Sequence, residues 1–320
     1  MLPHPPQPSD LSRSASGLAR SAPSVASPSP QTFPLRALGT LDSVFGTRNG
    51  TPRQPLLAPA ARSRLTLRAD LPASLLEGVA QYSHVWLVYV FHANTNIHRL
   101  WEGGAAPRVK GKVRVPRLDG ASLGVLATRS PHRPCPLGLS VARVEAVRGR
   151  TLYLRGADVL DGTPVLDVKP YLPFCDALPA ASAPAWAANP ADAEGEPLAL
   201  AGGVELGPQA LEILRAAWVQ RETRRPPPLC ESAEAFGELL RQVLARDIRS
   251  VTQRLKAPAR ARALGGADAL GLAAAEGQAP GGRPGKWHVV LDGLDVTYDV
   301  DEQRRAVVVR DARLWERSGG

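Results

Sequence analysis

A chain of 320 residues with 44% hydrophobic content can build two domains, or one domain with appendages, around a sizeable core. Its net charge of +9 favours an anionic partner, and the surplus is local: residues 34–176 hold 19 Lys and Arg against 10 Asp and Glu, so the remainder is close to neutral. Three cysteines without CxxC spacing and histidines without HExxH spacing argue against a disulfide framework, a zinc knuckle or another metal site, and suit a reducing compartment.

Residues 1–34 are rich in Pro, Ser and Ala and nearly free of large apolar side chains. Such a segment buries too little surface to offset its chain entropy, so a disordered tail is expected. Arg13, Arg20 and the serines resemble a transit peptide, but scattered prolines disfavour the amphipathic helix one needs. With no apolar run of membrane-spanning length, the expected location is the cytoplasm, with the mitochondrion as the alternative.

Residues 35–176 read as mainly β. A helix is expected near 71–78, where LPASLLEG has an apolar face and a Gly end. Residues 84–91 form a continuous apolar run of strand length, the pattern of a strand buried on both faces, and Tyr82 and Trp86 are read as core. Residues 108–115 alternate, with Arg108, Lys110, Lys112 and Arg114 on one face and apolar residues or Gly on the other. That basic face fits an RNA phosphate track, or else a protected sheet edge. Strands at 141–147 and 151–154 flank a hairpin turn. Short strands with few helices between them point to a β-barrel or sandwich. A linker at 177–207 precedes a small α+β C-terminal subdomain (208–320), with helices at 208–225 and 232–246, a flexible insertion at 256–285 and three closing strands at 287–291, 296–300 and 306–309. Ser232 is placed to cap the second helix.

The densest chemistry lies in residues 127–140, ATRSPHRPCPLGLS. Pro131, Pro134 and Pro136 stiffen a loop that presents Arg129, His132 and Arg133. Upstream are GTPRQP (50–55) and YSHVWLVYVFHAN (82–94); downstream is GADVLDGTPVLDVKPYLPFCD (156–176). No GxGxxG or GxxxxGK[ST] is present, so neither a Rossmann-type methyltransferase nor a P-loop enzyme is supported.

Taken in this order, the motifs resemble those of the TrmO family of tRNA methyltransferases, densely over residues 35–176 and weakly beyond. One departure is Cys135, between Pro134 and Pro136, where the family usually has Asn. The resemblance implies a β-barrel core that binds S-adenosylmethionine, acts as a homodimer and methylates N6 of threonylcarbamoyladenosine next to the anticodon of tRNA. It carries the cofactor positions Pro52, Arg53, Gln54, His92, Ala93, Arg129, Leu139, Asp161, Gly162, Thr163 and Pro164. Arg53 and Arg129 suit the methionine carboxylate, Asp161 a ribose hydroxyl or the amino group, and Leu139 and Pro164 the adenine, while Gly162 permits close backbone approach. No catalytic base is singled out; Asp161 and His132 are candidates. The alternative function is a non-catalytic RNA- or cofactor-binding module on the same scaffold. Neither a membrane nor a metal is expected as a partner.

Overall fold

Alternation of apolar and small polar residues builds the N-terminal half as a closed barrel. The computed structural model describes residues 34–93, 111–118, 121–188, 199–249, 253 and 287–316. Six antiparallel strands, β1 (Gly39–Ser43), β2 (Arg62–Leu67), β3 (His84–Val90), β6 (Leu137–Arg148), β7 (Thr151–Arg155) and β8 (Thr163–Pro170), close in the order β1-β2-β7-β6-β3-β8. The seam is β1 against β8, with Leu41 opposite Thr163. Leu41, Leu65, Leu87, Leu152 and Leu154 are fully buried in the barrel core. Each such side chain contributes about 1.5–3 kcal/mol through burial. A small separate ribbon, β4 (Lys112–Arg114) with β5 (Ser122–Gly124), lies in the connection from β3 to β6.

Several expectations for this half need correction. β3 alternates instead of being buried on both faces: Val85, Leu87 and Tyr89 point inward, while His84, Trp86 and Val88 are half-buried. Its outer face is apolar because residues 171–176 cover part of it. The Trp86 ring lies 5.5 Å from that of Tyr171, and Trp86 Nε1 donates to Asp176 at 2.9 Å, where the short helix α1 (Pro173–Asp176) ends. Trp86 is thus only partly core, and Tyr82 is exposed. The helix expected at 71–78 is instead two 3-10 turns, Ala73–Leu76 and Val79–Gln81, interrupted by Gly78 at φ 81°. Only Leu76 of these turns is buried and no side chain caps either one, so little favours a longer helix.

In the C-terminal half, β10 (Trp287–Leu291), β11 (Leu294–Asp301), β12 (Ala306–Leu314) and β9 (Gly203–Glu205) form a sheet in that order. β9 lies within the segment read as linker and pairs in parallel with β12, while α2 (Ala185–Ala188) adds one helical turn to the same segment. α3 (Pro208–Glu222) and α4 (Ala233–Leu244) pack on the sheet. Ser232 Oγ accepts from Ala235 N–H at 3.2 Å, a true N-cap, and Phe236, Leu239, Leu240 and Leu244 are fully buried.

The core around α3, α4 and this sheet also contains Val44, Phe45, Ala58 and Ala61, which belong to the β1–β2 connection. Polar contacts reinforce the junction. Asp292 N–H donates to Val44 O at 2.6 Å, Asn49 Nδ2 to His288 O at 2.7 Å, and Ala60 N–H to Gln242 Oε1 at 2.8 Å. The connection 44–61 is thus held by the C-terminal half. The tail up to residue 33, Arg108 and Lys110 of the basic strand, and the 256–285 insertion lie outside the described residues.

Candidate functional site

Every cofactor position named from sequence falls at one end of the barrel. The strand ends meeting there are those of β1, β3 and β7, with the starts of β2, β6 and β8. Pro52, Arg53 and Gln54 lie on the 44–61 connection, His92 and Ala93 just past β3, Arg129 on the loop before β6, and Leu139 at the start of β6. Asp161 and Gly162 lead into β8, which begins with Thr163 and Pro164. The inward-facing side chains turn polar towards this mouth, with Ser43, Ser63, Ser140 and Thr163 all buried.

Local bonding fixes the pieces. In the proline-rich loop, Arg133 Nη1 donates to Thr128 O at 3.0 Å and Thr128 Oγ1 to Val125 O at 2.8 Å. Arg133 therefore stiffens the loop, while the exposed Arg129 reaches across the mouth and donates to Gln54 Oε1 at 2.6 Å. Asp161 Oδ1 accepts from Ser43 N–H at 3.0 Å, and Gly162 N–H donates to Leu41 O at 3.0 Å. Gly162 has φ 77°, and a Cβ built there meets nothing within 4 Å, so the backbone borders open space as well as needing the left-handed conformation. Thr163 Oγ1 donates to Leu160 O at 2.6 Å. Its one proton is thereby committed, so His92 Nδ1, 3.2 Å away, is the donor to that hydroxyl. Burial lowers the His92 pKa, against the raising effects of the Val90 carbonyl and the Asp161 charge. Leu139 stands outward from β6, 58% exposed.

Sequence reasoning missed a second set of groups in the same mouth. Ser140 Oγ donates to Asp158 Oδ1 at 2.5 Å, and the Tyr89 hydroxyl lies 3.1 Å from Ser140 Oγ. Burial raises the Asp158 pKa to about 6, partly offset by the Ser140 hydrogen bond and the Arg129 charge. Burial, then the Asp158 charge, pushes the Tyr89 phenol up. The ring of Tyr89 crosses Gly138, where a Cβ would come within 2.3 Å of it. The sequence shows there no more than an aspartate between two apolar residues, Ala157 and Val159, which does not distinguish it from an ordinary loop carboxylate. Cys135 is exposed in the loop, and the exposed Lys112 and Arg114 share one face of β4.

Comparison with known proteins places the barrel among related chains. The family model described as tRNA-methyltransferase O N-terminal domain matches residues 40–177. A human protein named tRNA (adenine(37)-N6)-methyltransferase is 44% identical over 130 residues, which are 40% of this chain and 27% of that protein. A Pseudomonas aeruginosa protein named as a putative S-adenosylmethionine-dependent methyltransferase, RcsF, is 45% identical over 135 residues, 42% of this chain and 54% of the relative. The solved structure of TrmO from Pseudomonas aeruginosa superposes with a TM-score of 0.57 and 32% identity, covering 90% of this chain and all 100% of that one. The chain belongs to the TrmO family. The family model ends at the last barrel elements, and the curated relatives are matched over only about a quarter to a half of their length.

Proposed function

We propose that the protein is an S-adenosylmethionine-dependent tRNA methyltransferase acting on N6 of the adenine next to the anticodon, with threonylcarbamoyladenosine as the substrate base. The observation that carries this reading is the convergence of four separate segments (52–54, 92–93, 129–139 and 161–164) on one barrel mouth. The names of the relatives support it.

The residues present suit the cofactor. The exposed Arg129, oriented by Gln54, can pair with the methionine carboxylate, and Arg53 lies on the same connection as Gln54. The open space at Gly162 admits a ligand against main chain, and the exposed face of Leu139 can pack on adenine. When bound, S-adenosylmethionine supplies an electrophilic methyl group, so the protein's own task is placement. Holding nucleophile and methyl in line is worth up to about 7–11 kcal/mol in favourable cases. Lys112 and Arg114 would meet RNA phosphates, positioning the tRNA without reading its sequence.

The test is titration calorimetry with S-adenosylmethionine, followed by transfer of labelled methyl to tRNA isolated from cells lacking the modification. Binding and transfer to the adenine next to the anticodon are expected. Binding without transfer would establish the non-catalytic module instead. We extend the proposal to a homodimer; sedimentation of the full chain at its monomer mass of 34.0 kDa would remove that part.

A further inference from the structure

We propose that Asp158 is the group that takes the proton from the adenine N6 as that nitrogen is methylated. The proposal rests on the methyltransferase reading and goes beyond placement of the cofactor. The nitrogen of the substrate base carries one hydrogen. As the new N–CH3 bond forms, the bond from methyl to sulfur breaks and its electron pair stays on sulfur. The nitrogen is left with a positive charge and its hydrogen. A carboxylate oxygen that accepts this proton restores a neutral nitrogen and itself becomes a carboxylic acid. No further reactant is needed.

Asp158 is built for this task in ways its neighbours are not. Its carboxylate is oriented by Ser140 at 2.5 Å, and Ser140 is itself buried and in contact with the Tyr89 hydroxyl. Gly138 leaves the space that lets Tyr89 lie there. The nearby cation, Arg129, donates to Gln54, and no ion pair to Asp158 occurs among the described residues. Asp161 has one oxygen committed to Ser43 N–H, and His92 points Nδ1 at Thr163. A carboxylate held largely away from water with no cation paired directly to it costs stability, and such groups concentrate at functional sites. Its raised pKa, about 6, leaves it ionised at neutral pH yet basic enough to accept a proton. The groups bearing on its titration are Ser140 from β6, Arg129 from the proline-rich loop, and Tyr89 from β3.

The test uses the full chain and measures single-turnover methyl transfer to tRNA, with S-adenosylmethionine and tRNA affinities determined in parallel. In the wild-type protein the rate should rise with pH along a limb centred at about 6. Asp158→Asn should keep both affinities within about 3-fold while losing at least about 100-fold in rate, together with the limb. Ser140→Ala should keep a limb but move it to higher pH, because the Ser140 hydrogen bond lowers the Asp158 pKa. A rate in Asp158→Asn equal to wild type would overturn the proposal. So would a flat wild-type profile between about pH 5 and 8. A loss of cofactor affinity in Asp158→Asn matching the loss of rate would overturn it too, making Asp158 a cofactor contact. Failure of the wild-type protein to methylate any tRNA is a separate result, since it needs no variant, and it would overturn both this proposal and the methyltransferase reading.

Discussion

Arg129 and Asp158 sit in one barrel mouth and differ in how visible they are in the sequence. Arg129 stands out because Pro131, Pro134 and Pro136 follow it closely and a stiff loop presenting a cation has few structural uses. Its partner Gln54 is 75 residues away and was legible only through the motif around it. Replacing Arg129 with Ala removes a charge-assisted contact from an exposed side chain. We expect S-adenosylmethionine binding to weaken by about 1.5–3 kcal/mol with the melting temperature nearly unchanged, measured by calorimetry and thermal denaturation. Asp158 was illegible because its character comes from Ser140, 18 residues earlier in the chain, and from Tyr89 beyond it, not from its own neighbours. Its pKa is raised from 3.8 to about 6, so the folded chain holds this proton more tightly than the unfolded chain does. That contribution is complete below about pH 4 and is lost as pH rises through about 6. At neutral pH the ionised group therefore destabilises the fold. A shift of this kind is worth about 1.4 kcal/mol per unit, less where water reaches the group. Asp158→Asn should stabilise the protein by about 1–2 kcal/mol near pH 7.5 and by almost nothing near pH 4, as read from urea unfolding at the two pH values.

Among the elements, β7 was legible through strict alternation, with Leu152 and Leu154 inward, whereas β2, which alternates as strictly with Ser63, Leu65 and Leu67 inward, was not read as a strand because nothing in the directly flanking sequence marks its ends. β3 misled because Trp86 and Val88 are apolar on the outer face as well, and the cover supplied by residues 171–176 comes from about 85 positions further along the chain. Local sequence cannot announce such a partner. The 3-10 turns at 73–76 and 79–81 misled for the opposite reason: the helical pattern was present, but only one of its side chains is buried. The pairing of β3 with β6 also makes a sharp demand at Gly138, opposite Tyr89. Gly138→Ala should force the tyrosine ring aside and destabilise the protein by about 1–3 kcal/mol, with a loss of methyl transfer larger than the loss of cofactor affinity. On β4, Lys112 and Arg114 are both exposed. Replacing both with Ala should weaken binding to all tRNAs about equally and make the plot of log affinity against log salt shallower by up to about 0.9 per lost phosphate contact. An unchanged slope would leave β4 as a protected edge and move the RNA surface elsewhere.

At the scale of the whole molecule, a mainly β half and an α+β half were each readable from composition and periodicity, closure of the first into a barrel came only through the family resemblance, and the junction of the two halves was not readable. The sequence of the 44–61 connection has no periodicity, and its apolar residues are gathered at its two ends, 44–45 and 56–61, around a polar, Gly- and Pro-containing middle. Only the fold reveals that Val44, Phe45, Ala58 and Ala61 enter a core built by α3, α4 and the C-terminal sheet. Phe45 is fully buried there, and its carbonyl accepts from Asp161 N–H at 2.9 Å, so one residue joins the second core to the turn before β8. Phe45→Ala should cost about 3–5 kcal/mol and also weaken cofactor binding, although its side chain lies in the core and not in the mouth; chemical denaturation and calorimetry would show both effects. The shared connection has a reciprocal consequence. If the C-terminal half lends free energy to binding by holding residues 44–61 in place, a ligand in the mouth must return the same free energy to the C-terminal half. The two halves then communicate through thermodynamic linkage, with no moving part between them. The occupancy of the mouth would be legible as slower hydrogen exchange in α3 and α4, which have no place in the mouth itself.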